Sequence, residues 1–301
     1  MTAGYVPEPD RPSSSHTVPL AEGIPTKDEL LVYYPAKFTW RQIKTFVNSG
    51  DLGLLKRDLK LQHRYDRWLE EIKTKYGSNA NYLITYRLQW GRADTLAKLP
   101  SHLFPLVVTA ENSDTGSGKV TVLPSGLPPI PPGTKPYFTA DIPLQLVSII
   151  TNDWPYSVPS YIEHYVIWSV LPILPPDLPS IIGTRLLQDG LWGFAGYTAD
   201  SPPPSPSQLP SCLPALSDWR ITEASLIRSP RGTVEEETAV REAGLEVHKF
   251  VIATWRERQW ETAWFANPPR LQSVPDLAHI HVFARYKSLD EMNTWDNRMS
   301  R

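Results

Sequence analysis

Apolar residues follow a helical period along the first third of the chain. They recur every three or four positions in residues 39–48, 61–76 and 82–90. This spacing predicts three amphipathic helices, because side chains three and four apart share one helix face. The breakers Asn48-Ser49-Gly50-Asp51 and Tyr76-Gly77-Ser78 end the first two helices.

The middle of the chain changes to a strand pattern. The apolar run 144–150 and the alternating run 161–169 predict two strands that pair antiparallel across the proline-rich turn 154–159. Period-two alternation places His164 and Trp168 on one face of the second strand and Glu163 and Tyr165 on the other.

The last quarter begins with a helix signal. Thr233 and Glu236 form a capping box, and the apolar stripe that follows predicts one helix over residues 234–258. Two further strands are predicted over residues 260–265 and 279–286. The fold class is therefore α+β, with a mainly antiparallel sheet, a helical N-terminal third and proline-rich insertions.

The prolines refine the domain organisation, because the 31 of them are clustered. Residues 1–27 are expected to form a disordered or extended arm, and residues 28–301 a single domain with insertions near 101–140 and 171–232. Short strands are expected at 106–109 and 119–123, where the first insertion could cover a site. Residues 201–207 are expected to form an exposed extended loop.

Composition excludes several classes of function. Lys and Arg number 30 and Asp and Glu 32, for a net charge of −2, so nucleic acid is not an expected partner. The single Cys212 fits a reducing compartment. Neither an export signal nor the run of about 18 apolar residues needed for membrane insertion is present. A cytoplasmic location is therefore expected.

Candidate chemistry concentrates in residues 152–168. His164, Asp153 and Tyr156 are the candidate catalytic residues, since a carboxylate within reach of an imidazole raises its basicity and fixes its tautomer. Alternation turns Glu163 away from His164, so Asp153 or a residue remote in sequence is the better partner. The alternative role for Asp153 is to cap the Trp154-Pro155 turn.

His279 and His281 lie two apart on a predicted strand and project from one face. Together with His164 they could form a three-histidine metal site. The competing interpretation is one buried and one exposed histidine, and it is favoured because Ala278 supplies no supporting carboxylate. We therefore expect neither metal nor cofactor. The run Gly190–Gly196 has glycines at the wrong spacing for a phosphate loop and is expected to be a packing loop or pocket wall.

Aromatic and polar residues near these motifs are candidates for binding a small molecule. Most aromatic residues of a chain belong to its core, yet a Trp-Pro-Tyr turn is hard to bury completely, and indole or phenol rings give a pocket apolar walls with hydrogen-bond donors. The candidate substrate-binding residues are Trp154, Trp168, Trp264, Asn267, His279 and His281.

Several separated blocks carry a family resemblance. They are Phe38-Thr39-Trp40, Ser49-Gly50-Asp51-Leu52, Tyr76-Gly77-Ser78, residues 152–156 with His164 and Trp168, Trp264-Phe265, and His279-Ile280-His281-Val282. Over roughly residues 28–286 the chain resembles the fungal N-acetylglucosamine-induced protein 1-like family, a domain of unknown function. The resemblance implies an intracellular fungal protein, in some members tied to natural-product pathways. The chain departs from the family pattern at Ala278, Pro268 and Ser169-Val170.

These observations lead to three functional hypotheses. The first is a cofactor-independent enzyme of fungal specialised metabolism that binds an apolar small molecule and promotes its cyclisation or isomerisation, most concretely a Diels-Alder-type cycloaddition. The second is a non-catalytic, amino-sugar-responsive binding or regulatory protein. The third is a metal-dependent hydrolase that uses the histidines. The oligomeric state is left open.

Overall fold

A computed structural model describes residues 18–104, 126–198, 202–230 and 232–299. Its α-helices are α1 Lys27–Tyr33, α2 Trp40–Asn48, α3 Leu59–Tyr76, α4 Asn79–Tyr82, α5 Ser180–Asp189, α6 Leu209–Cys212, α7 Val234–Ala243, α8 Leu245–Thr254 and α9 Leu289–Met299. Its strands are β1 Val147–Thr151, β2 Ile162–Ser169, β3 Leu191–Ala195, β4 Trp260–Ala266 and β5 Ala278–Tyr286. The α+β class and the helical N-terminal third are confirmed.

One sheet organises the described residues. Its order is β1-β2-β5-β4-β3, and each neighbouring pair is antiparallel. The predicted hairpin of β1 and β2 is confirmed, with Ile149 opposite Ile167. Strand β5 lies between β2 and β4 and places Phe283 opposite His164 and His281 opposite Val166. The histidines of distant segments therefore meet on adjacent strands.

Helices cover both faces of this sheet. One face carries Tyr165, Ile167 and Val282, which pack in one buried cluster with side chains of α5 and α8. The other carries Phe265 and Phe283, which pack against α2, α6 and the turns around them. Both phenylalanines are fully buried, and burial of such a side chain contributes about 1.5–3 kcal/mol. We call the second face the histidine face, because His164 and His281 lie on it.

The helix predicted over residues 234–258 is wrong in its extent. The capping box of Thr233 and Glu236 is present, but α7 ends at Ala243 and α8 starts again at Leu245. The break lies at Gly244, where an added Cβ would stand 3.1 Å from the indole of Trp264. The close approach of this indole explains why the chain has glycine there.

Other element boundaries also differ from the sequence predictions. Residues 144–146 form a 3-10 turn before β1 starts. The helix predicted over residues 82–90 is α4 followed by a π-helical turn that ends at Arg87. The run Gly190–Gly196, expected as a packing loop or pocket wall, contains edge strand β3, which pairs with β4.

The proline-rich segment that starts at residue 202 is only in part the exposed extended loop that was expected for residues 201–207. Pro204 is buried, and its carbonyl accepts a 2.8 Å hydrogen bond from the Asn48 amide. A 3-10 turn starts at Pro206, and Leu209 and Leu216 beyond it are completely buried against the histidine face. Apolar residues between the prolines thus anchor this segment.

Two remaining predictions concern the strands of the first insertion and the crossing of a membrane. The strands expected at 106–109 and 119–123 lie outside the described residues. Across the parts of the chain that are described, no helix is both long enough and apolar enough to cross a membrane.

Candidate functional site

The turn and strand of residues 152–168 place the candidate side chains on different sides of the sheet. His164 and Trp168 share the histidine face, as predicted, and each contacts an aromatic or imidazole ring there. Glu163 instead accepts hydrogen bonds near Tyr165, whose ring packs in the opposite layer. The predicted separation of Glu163 from His164 is therefore confirmed.

The candidate histidines converge on the histidine face. His164 Nε2 lies 3.0 Å from His281 Nδ1, and the ring centroids of His279 and His281 are 5.4 Å apart. Tyr156 stacks on His164 at 5.1 Å, and Phe265 stacks on His281 at 4.8 Å. The result is a compact block of aromatic rings built from β2, β4, β5 and the turn before β2.

Hydrogen bonds assign the tautomers in this block. The Tyr156 backbone N–H donates to His164 Nδ1 at 3.2 Å, so the proton of a neutral His164 is on Nε2 and is donated to His281 Nδ1. The proton of His281 is then on its own Nε2. His279 Nδ1 donates to the carbonyl of Leu277 at 2.8 Å, which leaves His279 Nε2 with a free lone pair.

Burial keeps these imidazoles neutral. It is the largest cause that lowers the pKa of His164 and of His281 well below the ordinary 6.5, and Arg57 lowers both further. Burial lowers the pKa of His279 as well. A neutral His164 can relay or donate a hydrogen bond, but protonation in this position is costly.

Asp153 does not lie on His164, contrary to the proposed acid–base pairing. Its carboxylate accepts hydrogen bonds from Arg87 Nε at 2.7 Å and Arg87 Nη2 at 3.0 Å. Arg87 also binds Asp94 at 2.6 and 2.9 Å. Burial raises the pKa of Asp153 despite this arginine. The Asp153 side chain is thus part of a buried ion cluster. Removing one member of such a cluster typically lowers the free energy of unfolding by about 3–5 kcal/mol.

Asn152, rather than Asp153, caps the turn. The Asn152 Oδ1 atom accepts a 2.9 Å hydrogen bond from the backbone N–H of Trp154. The turn therefore gains the Asx-type side-chain hydrogen bond that was expected there, from the neighbouring residue.

Of the two other predicted binding residues, Trp264 lies away from the histidines. Trp264 is buried in the opposite layer, where an added Cβ on Gly193 would stand 2.6 Å from its indole. Asn267 follows the end of β4 and is buried, and its carbonyl accepts a 2.9 Å hydrogen bond from Gln272. Trp264 was a candidate because it lies in a sequence block near the other motifs, and only the pairing of β4 with β3 and β5 shows which face of the sheet it occupies.

The three-histidine arrangement does not have the geometry of a metal site. Throughout the described ranges, no group of three or more His, Cys, Asp or Glu side chains is placed to hold a metal ion. Geometry accounts for this, because His164 and His281 bond to each other and His279 Nδ1 is engaged by Leu277.

A small cavity of about 70 Å³ borders the histidine block. It is lined by four of the six predicted binding residues: His279, His281, Trp168 and Trp154. Trp154 and Trp168 are 4% and 6% exposed, so their ring faces are not open to solvent.

A larger cleft of about 720 Å³ opens at the end of the sheet near the start of β2. Its walls are α1, the chain after it, residues 99–102 and residues 155–164. Leucine, proline, valine and tyrosine side chains predominate, with Tyr156 and His164 at one side. This volume and lining are typical of sites for organic small molecules.

The polar corner of the cleft is the carboxylate–imidazole pair of Glu163 and His102, which was not predicted from the sequence. Glu163 is hydrogen-bonded to His102 Nδ1 and to the Tyr165 hydroxyl, and the backbone N–H of His102 donates to it at 3.1 Å. Ser101 Oγ lies 2.7 Å from the Tyr165 hydroxyl. Burial and the Glu163 charge raise the pKa of Tyr165, which keeps its hydroxyl protonated.

His102 and Glu163 differ in their access to solvent. The His102 side chain is 63% exposed, whereas Glu163 is 13% exposed. Glu163 therefore orients His102 through Nδ1 and leaves Nε2 as the free basic nitrogen. The two residues are 61 positions apart, and His102 stands in no periodic pattern, so the only available signal was the placement of Glu163 and Tyr165 on one strand face.

Comparisons with known proteins give the following results. A search of curated proteins finds no match to this chain. A solved structure titled "Crystal Structure of HTC1" is similar, with 18% identity, a TM-score of 0.34, and coverage of 87% of this chain and 95% of that one. A family model described as "Protein of unknown function (DUF3605)" matches residues 39–178 and 228–285. Since these segments make up more than half of the 301 residues, the chain belongs to that family.

Proposed function

We propose that this protein binds a small, mainly apolar molecule in the large cleft and, without a cofactor, promotes its isomerisation or cyclisation. The pairing of Glu163 with His102 at the edge of the cleft is the observation that carries the proposal. It places an oriented, solvent-accessible base beside an apolar binding surface.

The lining of the cleft supports an apolar ligand. Leu30, Leu31 and Leu61 line one side, and Pro155, Val158 and Pro159 line the facing turn. Burying apolar ligand surface against such walls contributes about 25 cal/mol per Å². The cleft is therefore suited to holding a flexible carbon skeleton in one reactive shape, which removes entropic cost from a ring-forming step.

The polar corner supports proton movement on that ligand. His102 Nε2 is free to accept a proton from a carbon acid, and Glu163 stabilises the imidazolium that forms. Ser101 lines the cleft beside His102, and its hydroxyl donates to the Tyr165 oxygen, because Tyr165 donates its own proton to Glu163. The proton would return to a different carbon in an isomerisation. A cycloaddition of Diels-Alder type needs only the shape of the cleft and one hydrogen-bond donor.

The organism and the metabolic context are proposed from the resemblance to the N-acetylglucosamine-induced protein 1-like family. On that basis we propose a fungal, cytoplasmic protein of natural-product metabolism. The same resemblance motivated the amino-sugar-binding hypothesis, in which Trp154 and Trp168 would stack on sugar rings. Their burial disfavours that role. Calorimetry with N-acetylglucosamine separates the two proposals, because only the sugar-binding protein is expected to give heat.

A general carbon-acid probe tests the proposed base. 5-Nitrobenzisoxazole is small and apolar, and removal of its C3 proton breaks the N–O bond to give a coloured phenolate. We expect the wild type to accelerate this reaction over buffer, and His102→Gln to lower the rate about 100-fold, the usual minimum contribution of a positioned base. Glu163→Gln should lower it less.

His63→Gln is the matched control, because His63 is exposed on α3 and does not line the cleft. It should keep the wild-type rate. A wild-type rate equal to that of buffer, or an unchanged rate in His102→Gln, would contradict the proposal. Circular dichroism and a thermal melt of each variant separate loss of the base from loss of the fold.

A further inference from the structure

The small cavity on the histidine face contains several polar groups without partners. The indole N–H groups of Trp154 and Trp168 and the Asn79 Oδ1 atom are buried without a hydrogen-bond partner. All three residues line the cavity. A buried polar group left unsatisfied costs about 1–3 kcal/mol, so three of them around one space indicate an occupant that hydrogen-bonds to them.

The histidines add a complementary pair of groups. With the tautomers assigned above, His281 has its proton on Nε2, and His279 has a free lone pair on Nε2. Both residues line the cavity. The residues that line this space therefore carry three neutral N–H donors, on Trp154, Trp168 and His281, and two acceptors, on His279 and Asn79.

The charged groups at the cavity are balanced. Arg57 lines it and donates to the Trp154 carbonyl at 2.8 Å and to Gln62 at 3.1 Å, both uncharged partners. Asp153 also lines it, but its carboxylate is bound by Arg87. Arg87 in turn binds Asp94. Two arginines and two aspartates give no net charge, so the donors do not select for an anion.

The shape favours a small planar group. A volume of about 70 Å³ is about twice the ~30 Å³ that a water molecule occupies in the liquid, so only a group of a few heavy atoms fits. Trp68, Trp154 and Trp168 supply aromatic walls, with Trp68 and Trp154 ring centroids 5.1 Å apart. Aromatic walls suit the flat face of an sp² group, and the N–H donors suit its oxygen.

We infer that this cavity is a binding site, separate from the cleft, for a small uncharged molecule or group that carries a carbonyl oxygen. The carbonyl accepts from the indole N–H groups and from His281, and an N–H or O–H of the ligand can donate to Asn79 or His279. The site is independent of the proposed function, because His102 and Glu163 do not line it.

Acetamide is the probe, because it has four heavy atoms, no charge and a carbonyl oxygen. Indole ¹⁵N–¹H NMR of the full chain reports on the tryptophan donors directly, and Trp154→Phe and Trp168→Phe assign the two resonances. We expect both to shift with one saturation curve and a dissociation constant of about 10 mM or tighter, which is modest for four heavy atoms. Acetate, of the same shape but charged, should bind at least about tenfold more weakly, because its charge is not matched by the cavity.

Trp168→Phe keeps a ring in place and removes one donor, so acetamide should bind about five- to tenfold more weakly. Trp90→Phe is the matched control, since Trp90 also has a buried N–H without a partner but does not line the cavity. It should leave the affinity unchanged. Indole resonances of the wild type that stay in place at about ten times the expected dissociation constant would overturn the inference and indicate a cavity that holds only water. The titration itself is carried out on the wild-type protein, and His102→Gln should not alter it.

Discussion

The histidines of this protein occupy two opposite environments. His164 and His281 are buried and bonded to each other, whereas His102 is exposed and bound to a carboxylate. Bonding to Glu163 orients the His102 ring and fixes its tautomer, while burial among aromatic rings disfavours the charged form of His164 and His281. The pair of His102 and Glu163 therefore suits proton transfer, whereas the pair of His164 and His281 stabilises the aromatic block.

The buried pair makes stability sensitive to acid. Folding lowers the pKa of both His164 and His281 well below the 6.5 of the unfolded chain. Below pH 6.5 the unfolded state therefore binds more protons, so stability is complete above that pH and falls as the pH drops towards the lowered folded values. Each of the two histidines should lower the free energy of unfolding by about 1.4 kcal/mol between pH 7.5 and 5.5. Urea unfolding at the two pH values measures the loss.

His281→Gln should reduce this loss by about 1 kcal/mol, because it removes one of the buried histidines whose pKa is lowered on folding. His63→Gln, at an exposed position of α3, is the control and should behave as the wild type. An identical loss in His281→Gln and wild type would show that the buried pair does not cause the acid sensitivity.

Residue placement was predictable where periodicity decides it. Alternation alone placed His164 and Trp168 on one face of β2. It could not pair Asp153 with Arg87, because the two residues are 66 positions apart and the π-helical turn that ends at Arg87 has no distinctive sequence signal. Contacts between distant segments depend on how elements pack, and a single sequence does not contain that information directly.

At the scale of elements, β3 shows why glycine-rich strands are missed. Its centre is Gly193, which has low strand propensity, and the indole of Trp264 fills the space where a side chain would lie. Gly190 and Gly196 bound the strand with φ of +77° and +70°. Sequence rules assign such a run to a loop, while the tertiary contact with β4 makes it a strand.

Gly196 is the clearest test of that account. In Gly196→Ala the new Cβ would lie 1.9 Å from the carbonyl oxygen of Trp260, and the positive φ adds strain. The free energy of unfolding should fall by about 2–4 kcal/mol, as measured by urea denaturation.

Gly183→Ala is the matched control. Gly183 lies inside α5 with no atom within 4 Å of the added Cβ, and alanine should stabilise the helix there by about 0.5–1 kcal/mol. If the two substitutions destabilised the protein equally, the end of β3 would not be held in the close contact described.

At the scale of the whole molecule, the sheet separates two layers and brings both cavities to the region around β2. The α+β class and the hairpin of β1 and β2 at one side of the sheet were predictable from periodicity. The strand order was not, since β5 joins β2 to β4 across more than a hundred residues. The cleft depends on that arrangement, because α1, residues 99–102 and the start of β2 meet only in three dimensions.

The central claim is that an apolar molecule in the cleft meets a reactive His102. Alkylation by 2-bromoacetophenone tests it directly: the free imidazole nitrogen displaces bromide, and peptide mass spectrometry gives the initial rate at each histidine. His102 should react at least about tenfold faster than the exposed His63, which corresponds to about 1.4 kcal/mol of binding or orientation in the cleft. A His102 that reacts no faster than His63 would contradict the account.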